Sequence, residues 1–164
     1  MEEGNEVCIG LGTLNQEELT QTGEIMASGL NEGDIIILSG EIGSGKTTFT
    51  RGIVKGLGCD PVVVTSPTFT LMNVYACTKT VFHIDAYRLE SIDEIFQILE
   101  SELEDEDGIF IIEWGERLKE FFKNEVINVH FEHVDEFHRR VSICARRDIQ
   151  ERIGRCLEIA KKIK

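Results

Sequence analysis

Apolar residues in this chain fall into short β-branched runs that alternate with longer segments in which they recur at every third or fourth position. The short runs predict strands at residues 34–39, 62–65, 71–75, 81–85 and 109–113. The longer segments predict helices at residues 16–29, 47–57, 92–103 and 148–164. Strands that are interleaved with helices favour a mainly parallel sheet with helices on both faces, which is a three-layer α/β/α fold.

The first predicted helix has a start signal of its own, because Asn15 occupies an N-cap position and Glu18 follows it at the third helical position. Near the other end of the chain, residues 126–133 and 140–145 predict an antiparallel hairpin, which makes the sheet mixed. The 164 residues are enough for one domain to bury a continuous core without structural metal or disulfides. We therefore predict a single domain over residues 1–164.

A glycine-rich segment joins the first predicted strand to the helix at residues 47–57. It reads GEIGSGKT from Gly40 to Thr47 and fits the pattern GxxxxGK[ST] without a gap. Glycines let backbone N–H groups turn towards phosphate oxygens, while the lysine adds a cation for the β and γ phosphates and the threonine hydroxyl suits Mg²⁺. The alternative, a structural turn without a ligand, is disfavoured by the strand-to-helix context. The predicted nucleotide-binding residues of this P-loop are Glu41, Ile42, Gly43, Ser44, Gly45, Lys46, Thr47 and Thr48.

A P-loop needs a carboxylate at the end of another strand to hold the metal ion or its water. Asp85 and Glu113 each follow four mostly apolar residues, so each is expected where a strand reaches the carboxyl edge of the sheet. The sequence does not rank the two, and an acid that ends a strand can also be a solvated terminus. With the P-loop in place, we predict that Lys46, Asp85 and Glu113 are catalytic and that Thr47, Glu113 and Asp85 hold Mg²⁺.

The sequence leaves more than one role open for two side chains beside these acids. Trp114, the only tryptophan, follows Glu113, and alternation along a strand points it away from that carboxylate, towards a nucleotide base, a partner or the core. We include it among the nucleotide-binding residues. His83 is interpreted as a core residue or a neighbour of an acid rather than as a catalytic group.

Hydroxyl and guanidinium groups offer further candidates. Ser66 and Thr68 flank Pro67 and could sense a γ-phosphate, although an ordinary Ser-Pro turn explains the same residues. Arg88 could neutralise charge in a transition state, although a surface salt bridge is the commoner use of such an arginine.

Charge and cysteine usage narrow the function classes. Seventeen basic and 30 acidic residues give a net charge of −13, which opposes direct binding of nucleic acid or anionic membrane and permits a basic protein partner. No apolar stretch approaches the roughly 20 residues of a membrane span and the first residues do not resemble a signal peptide, so we expect a cytoplasmic protein. The five scattered cysteines predict reduced packing thiols rather than disulfides or zinc ligands. The acidic run within residues 100–107 is interpreted as solvated surface.

Four stretches, taken in order, resemble the TsaE (YjeE) family, the P-loop ATPases of bacterial tRNA threonylcarbamoyladenosine (t6A) biosynthesis. They are LSGEIGSGKTTFTRGI, VTSPTFTLMNVY, HIDAYRL and IIEWGERL, and the resemblance runs from about Gly10 to Ala145. It implies ATP and Mg²⁺ binding, slow hydrolysis enhanced by a partner complex, and resetting of the threonylcarbamoyltransferase proteins TsaD and TsaB between turnovers. It also implies a switch-like segment at residues 66–69 and functional roles for Asp85, Glu113 and Trp114.

Two other function classes stay open. A small-molecule P-loop kinase needs a basic lid over the transferred phosphate, and the sequence has no arginine cluster between Arg88 and Arg139, which argues against it. A nucleotide-bound interaction module with incidental turnover would carry the same P-loop, so only an assay of turnover in t6A formation separates it from a motor.

Overall fold

The helices and strands are taken from a computed structural model, which describes residues 6–67, 71–87, 91–103, 108–118 and 126–163. The strands are β1 Glu6–Leu14, β2 Ile35–Ser39, β3 Met72–Ala76, β4 Thr80–Asp85, β5 Gly108–Glu113, β6 Val126–His133 and β7 Arg139–Arg146. The α-helices are α1 Gln16–Ala27, α2 Lys46–Gly56, α3 Ile92–Leu103 and α4 Arg147–Ile163. Short 3₁₀ helices cover Pro61–Val63 and Gly115–Leu118.

These strands form one mixed sheet in the order β1-β7-β6-β2-β5-β4-β3. The central strands β6, β2, β5 and β4 are parallel neighbours. The outer pairs β1/β7, β6/β7 and β3/β4 are antiparallel. The predicted α/β fold with a parallel centre and a late hairpin is therefore confirmed. Within the described ranges, no helix is long and apolar enough to cross a membrane.

β2 is buried on both faces, which explains its continuous apolar run. Ile36 and Leu38 belong to the hydrophobic cluster that also contains Phe49 of α2, whereas Ile35 and Ile37 belong to a second cluster on the opposite face. Burying each such side chain stabilises the fold by about 1.5–3 kcal/mol. Because both faces hold β2 in place, the loop that follows it is anchored at the centre of the sheet.

The predicted capping box of α1 is present. The Glu18 N–H donates to Asn15 Oδ1 over 2.9 Å, and the Asn15 N–H donates to Glu18 Oε2 over 2.8 Å. These two bonds satisfy backbone donors that the first helical turn leaves without partners. They fix the start of α1, whose middle packs closely against Gly52 of α2.

One predicted strand was wrong, and one strand was missed. Residues 62–65 do not form a strand, because Pro61 sets a helical φ and Asp60 Oδ1 accepts the Val62 N–H over 3.0 Å, which closes a 3₁₀ turn. The sequence also failed to predict β1, whose register with β7 shifts between Gly10 and Gly12. Glycines within a strand weaken its β pattern, and this strand lies at the edge of the sheet.

The expectation of reduced thiols was wrong as well. The structure joins Cys8 to Cys144 and Cys59 to Cys77, and leaves Cys156 as a free thiol. Cys8 and Cys144 are directly opposed residues of β1 and β7, which the sequence could not reveal because β1 was not predicted. The second pair links the end of α2 to the turn between β3 and β4. Spacing along the chain does not predict pairs that only the tertiary fold brings together.

Candidate nucleotide-binding site

The loop between β2 and α2 has backbone geometry that requires glycine at two positions. Gly45 has φ 104°, and a Cβ built there would lie 2.8 Å from Leu19 Cδ1. A Cβ at Gly40 would lie 2.6 Å from Ser44 Oγ. Glycine at these two points lets the loop pack closely against Ser44 and Leu19, whereas a Cβ at Gly43 would meet nothing within 4 Å. The loop leads into the start of α2, where the helix dipole favours an anion.

Lys46, the first residue of α2, folds back into this loop. Its Nζ donates to the carbonyl oxygens of Gly40 over 2.6 Å and Glu41 over 3.0 Å. The ammonium also lies 3.9 Å from the centre of the Trp114 ring, an arrangement that attracts a cation to an aromatic face. Since the side chain is only 6% exposed, its charge is concentrated inside the loop rather than in bulk solvent.

The carboxyl ends of two neighbouring strands bring the acids to the same loop. Asp85 and Glu113 are directly paired in the parallel register of β4 and β5, and both are buried. Glu113 Oε1 accepts a hydrogen bond from Thr47 Oγ1 over 3.1 Å. Asp85 Oδ1 accepts the Tyr87 N–H over 2.9 Å. Glu113 thus bonds to the P-loop through Thr47, and Asp85 lies beside Glu113.

Behind Glu113 lies a buried group of polar side chains. His83 is fully buried, with its Nε2 3.6 Å from Glu113 Oε2 and its Nδ1 3.0 Å from the hydroxyl of Tyr75. Burial raises the pKa of Tyr75, against a lowering by the hydrogen bond from Asn73, so the phenol keeps its proton near neutral pH. The prediction that His83 is a core neighbour of an acid agrees with these contacts.

A cavity of about 430 Å³ lies between the P-loop and the two acids. Its walls are residues 42–48 of the P-loop, Asp85, Glu113 and Trp114, together with Ser66 and Tyr87. Ten of the eleven residues that the sequence singles out for the site thus line one cavity. The eleventh, Glu41, lines a neighbouring groove of about 1160 Å³ on the β6 side.

The cavity contains chemical groups suited to a phosphorylated ligand. The loop amides and the lysine can donate hydrogen bonds to phosphate oxygens, and the oxygen atoms of hydroxyl and carboxylate groups are the ligands that Mg²⁺ prefers. No group of three His, Cys, Asp or Glu side chains able to hold a metal occurs in the described part of the chain. A Mg²⁺ ion here would therefore depend on the Thr47 hydroxyl, an acid, water and the ligand's own phosphates, as Mg²⁺ commonly does.

Comparison with known proteins identifies the family. The sequence model described as "Threonylcarbamoyl adenosine biosynthesis protein TsaE" matches residues 13–141. A Treponema pallidum protein named tRNA threonylcarbamoyladenosine biosynthesis protein TsaE is 32% identical over 127 residues, which cover 77% of this chain and 93% of that protein. A Bacillus subtilis protein of the same name is 31% identical over 134 residues, or 81% of this chain and 83% of that protein. The chain belongs to the TsaE family.

The resemblance carried by the four sequence motifs is thereby confirmed. Among solved structures, the crystal structure of Bacillus subtilis YdiB matches with a TM-score of 0.69 at 24% identity and covers 100% of both chains. At that identity the likeness shows the fold alone. For a TsaE-family chain, a nucleotide-binding P-loop on an α/β sheet is the expected architecture, and the cavity described above lies at that P-loop.

The orientation predicted for Trp114 was wrong. β5 ends at Glu113, and Trp114 has φ 61°, so the alternation of strand side chains does not extend to it. Its ring lies over Lys46 and 5.0 Å from the ring of Tyr87, on the same cavity as Glu113. A positive φ at a bulky residue has no signal in a single sequence.

Arg139 is a contact of the P-loop that sequence reasoning missed. Its Nη2 donates to the carbonyl oxygen of Gly43 over 3.0 Å, and its Nη1 donates to backbone carbonyls of the β6–β7 turn. The turn therefore braces the tip of the P-loop. Only the pairing of distant segments brings this arginine there, 96 residues from Gly43. The candidates Thr68, Phe69 and Arg88 and the acidic residues 104–107 lie outside the described residues.

Proposed function

We propose that this chain binds and hydrolyses ATP with Mg²⁺ in t6A biosynthesis, where it resets the threonylcarbamoyltransferase proteins TsaD and TsaB between turnovers. Membership of the TsaE family and the names of its relatives support the pathway. The observation that carries the ATPase part is the 3.1 Å hydrogen bond between Thr47 Oγ1 and Glu113 Oε1. It brings the hydroxyl of the P-loop and the acid of a neighbouring strand together, as nucleotide hydrolysis with Mg²⁺ requires.

The residues of the P-loop would hold the triphosphate. Lys46 would exchange the carbonyl oxygens of Gly40 and Glu41 for β- and γ-phosphate oxygens, because an anion is the stronger acceptor for an ammonium group. The N–H groups at the start of α2 would face the same anion. Arg139 would keep the tip of the loop in its binding conformation through Gly43.

The acid side would hold the metal ion and the attacking water. Thr47 and Glu113 would bind the Mg²⁺ ion directly or through water, with Asp85 beside them. Bound Mg²⁺ supplies charge neutralisation for the phosphates and fixes their geometry. Trp114 and Tyr87, whose rings lie together at the wall of the cavity, would exclude bulk water from the phosphate end.

The partner part of the proposal is supported by charge and family. A net charge of −13 disfavours direct tRNA binding and suits a basic protein surface. The chain would therefore act on the transferase proteins rather than on the tRNA. Loss of the γ-phosphate would change the segment that contains Ser66, which lines the cavity, and so change the affinity for the partners.

The decisive experiment measures multiple-turnover t6A formation with TsaD, TsaB, their substrates and either the wild type or Glu113→Ala. Calorimetry first establishes that the variant still binds ATP. We expect the wild type to support many turnovers and Glu113→Ala to stop near one. Equal yields would favour a passive nucleotide-bound module, and ATP-dependent labelling of a metabolite would favour a kinase.

A further inference from the structure

A path of polar contacts, buried at its start and partly exposed at its end, leaves the nucleotide site through Glu113. It passes from Glu113 Oε2 to His83 Nε2 at 3.6 Å and from His83 Nδ1 to the Tyr75 hydroxyl at 3.0 Å. Asn73 Nδ2 donates to the Tyr75 hydroxyl oxygen over 3.5 Å and to the Thr65 carbonyl oxygen over 3.1 Å, and so bridges the two groups. The path therefore ends on the backbone next to Ser66, which lines the nucleotide cavity.

The tautomer of His83 sets the donor and acceptor roles along the path. With its proton on Nε2, His83 presents a donor to Glu113. A neutral imidazole with its proton on Nε2 accepts at Nδ1, which makes the Tyr75 hydroxyl the donor there. The amide of Asn73 then serves the Thr65 carbonyl. Each group along the path has one role that depends on the position of its neighbour.

The first link of the path is incomplete in a way that suits a switch. His83 Nε2 is fully buried and has no hydrogen-bond partner among the described residues, although Glu113 Oε2 lies only 3.6 Å away. The other oxygen of Glu113 accepts from Thr47. A change in what Thr47 Oγ1 bonds would free the carboxylate to move a few tenths of an ångström and complete the bond to His83.

The same segment is also tied to the strand that carries Asp85. The Leu71 N–H donates to the Pro67 carbonyl over 2.8 Å, and the Asp85 N–H donates to the Leu71 carbonyl over 3.0 Å. Leu71 holds φ 66° in doing so, a strained conformation for a branched side chain. The backbone at Thr65 and the backbone at Leu71 are thus both held by residues that lie at or behind the two acids.

We infer that His83 and Tyr75 are positioning residues that couple Glu113 to the Thr65–Ser66 backbone, so that the nucleotide at Thr47 sets the order of this segment. This inference rests on the proposed nucleotide binding but adds to it a route and two residues. Neither residue contacts the cavity, whose described lining does not include them. Their role is to transmit a change in Glu113, not to bind the ligand.

The test uses Tyr75→Phe, which removes only the hydroxyl of the relay. The matched control is Thr78→Val, which removes another hydroxyl of the same hairpin, one that donates to the Leu57 carbonyl away from the site. Hydrogen–deuterium exchange is measured on a peptide containing Thr65 and Ser66, with Mg²⁺ and either ADP or AMP-PNP. Calorimetry measures the affinity for both nucleotides, and thermal unfolding measures stability.

In the wild type and Thr78→Val, we expect the peptide to exchange at least about threefold more slowly with AMP-PNP than with ADP. In Tyr75→Phe that difference should disappear, while both affinities change by less than about twofold. His83→Phe should behave like Tyr75→Phe, because a phenyl ring keeps an aromatic ring in the core but has no acceptor for Tyr75 and no donor for Glu113. If Tyr75→Phe is too unstable to compare, His83→Phe decides the question.

Three results would overturn the relay. Tyr75→Phe could retain the full difference between nucleotides, Thr78→Val could lose it as well, or the wild type could show no difference although both nucleotides bind. Absence of binding to the wild type would instead refute the proposed function, and with it the relay. Calorimetry separates these two kinds of failure.

Discussion

The two halves of the candidate site are built in opposite ways. The phosphate half is one continuous segment, residues 40–48, in which Lys46 bonds to carbonyl oxygens five and six residues before it. The acid half gathers Asp85 and Glu113 from different strands, and only the parallel register of β4 and β5 makes them neighbours. The first half is therefore encoded by consecutive residues, and the second by the sheet.

This difference predicts how far the effects of a substitution extend from the substituted residue. The described contacts of Lys46 include carbonyl oxygens of its own loop and the Trp114 ring, so we expect its substitution to affect ligand binding first. Glu113 contacts Thr47 on one side and His83 on the other. A change at Glu113 should therefore alter turnover and the buried polar group behind it more than the grip on phosphate.

The largest effect is expected from Lys46→Ala. Removing the ammonium deletes two or more charge-assisted bonds to phosphate, which corresponds to about 3–5 kcal/mol or at least about 100-fold in affinity. Calorimetry with ATP and Mg²⁺ measures the loss. Lys55→Ala is the control, because Lys55 lies on the same helix and pairs with Glu24 at an exposed surface. Undiminished ATP binding by Lys46→Ala would refute the P-loop assignment.

The next effect separates the two acids. Glu113→Gln should lower single-turnover hydrolysis by about 100-fold, because an amide cannot replace the charge at the metal. Asp85→Asn should lower it by about tenfold, since Asp85 does not contact Thr47 in the described hydrogen bonds but lies beside Glu113. Phosphate release is measured across a Mg²⁺ titration. A larger loss in Asp85→Asn would reverse the assignment of the two carboxylates.

The same contrast explains what the sequence could predict. The P-loop was predictable because GxxxxGK[ST] specifies its own geometry, and the buried strands were predictable because β2, β4 and β5 are apolar on both faces. The sequence did not predict the disulfides, the contact of Arg139 or the orientation of Trp114. Each depends on tertiary contacts or on a local φ, which the periodicity of apolar residues does not reveal. Asp60 and Pro61 overrode the β propensity of the valines beside them.

A stability experiment tests how strictly the phosphate half depends on its backbone. Gly45→Ala should lower the free energy of unfolding by about 2 kcal/mol, because Gly45 has φ 104° and the new methyl group would clash with Leu19. Gly154→Ala is the matched control, since a Cβ there meets nothing within 4 Å inside α4. The control should raise stability by about 0.5–1 kcal/mol through helix propensity. Urea unfolding measures both, and equal changes would contradict the strain argument.

The smallest effect should come from Arg139, the one long-range brace that we find on the tip of the P-loop among the described contacts. Arg139→Met keeps the length of the side chain but removes its hydrogen bond to the Gly43 carbonyl, so the loop gains freedom that ATP binding must then remove. We expect about 1 kcal/mol, or about fivefold, in affinity. Arg140→Met is the control. Arg140 is the next residue of β7, and its side chain is exposed and forms a surface ion pair with Glu132 over 3.6 Å. If both variants bind ATP equally well, the tip of the P-loop needs no brace from the β6–β7 turn, and its direct bond to the acid half through Thr47 suffices.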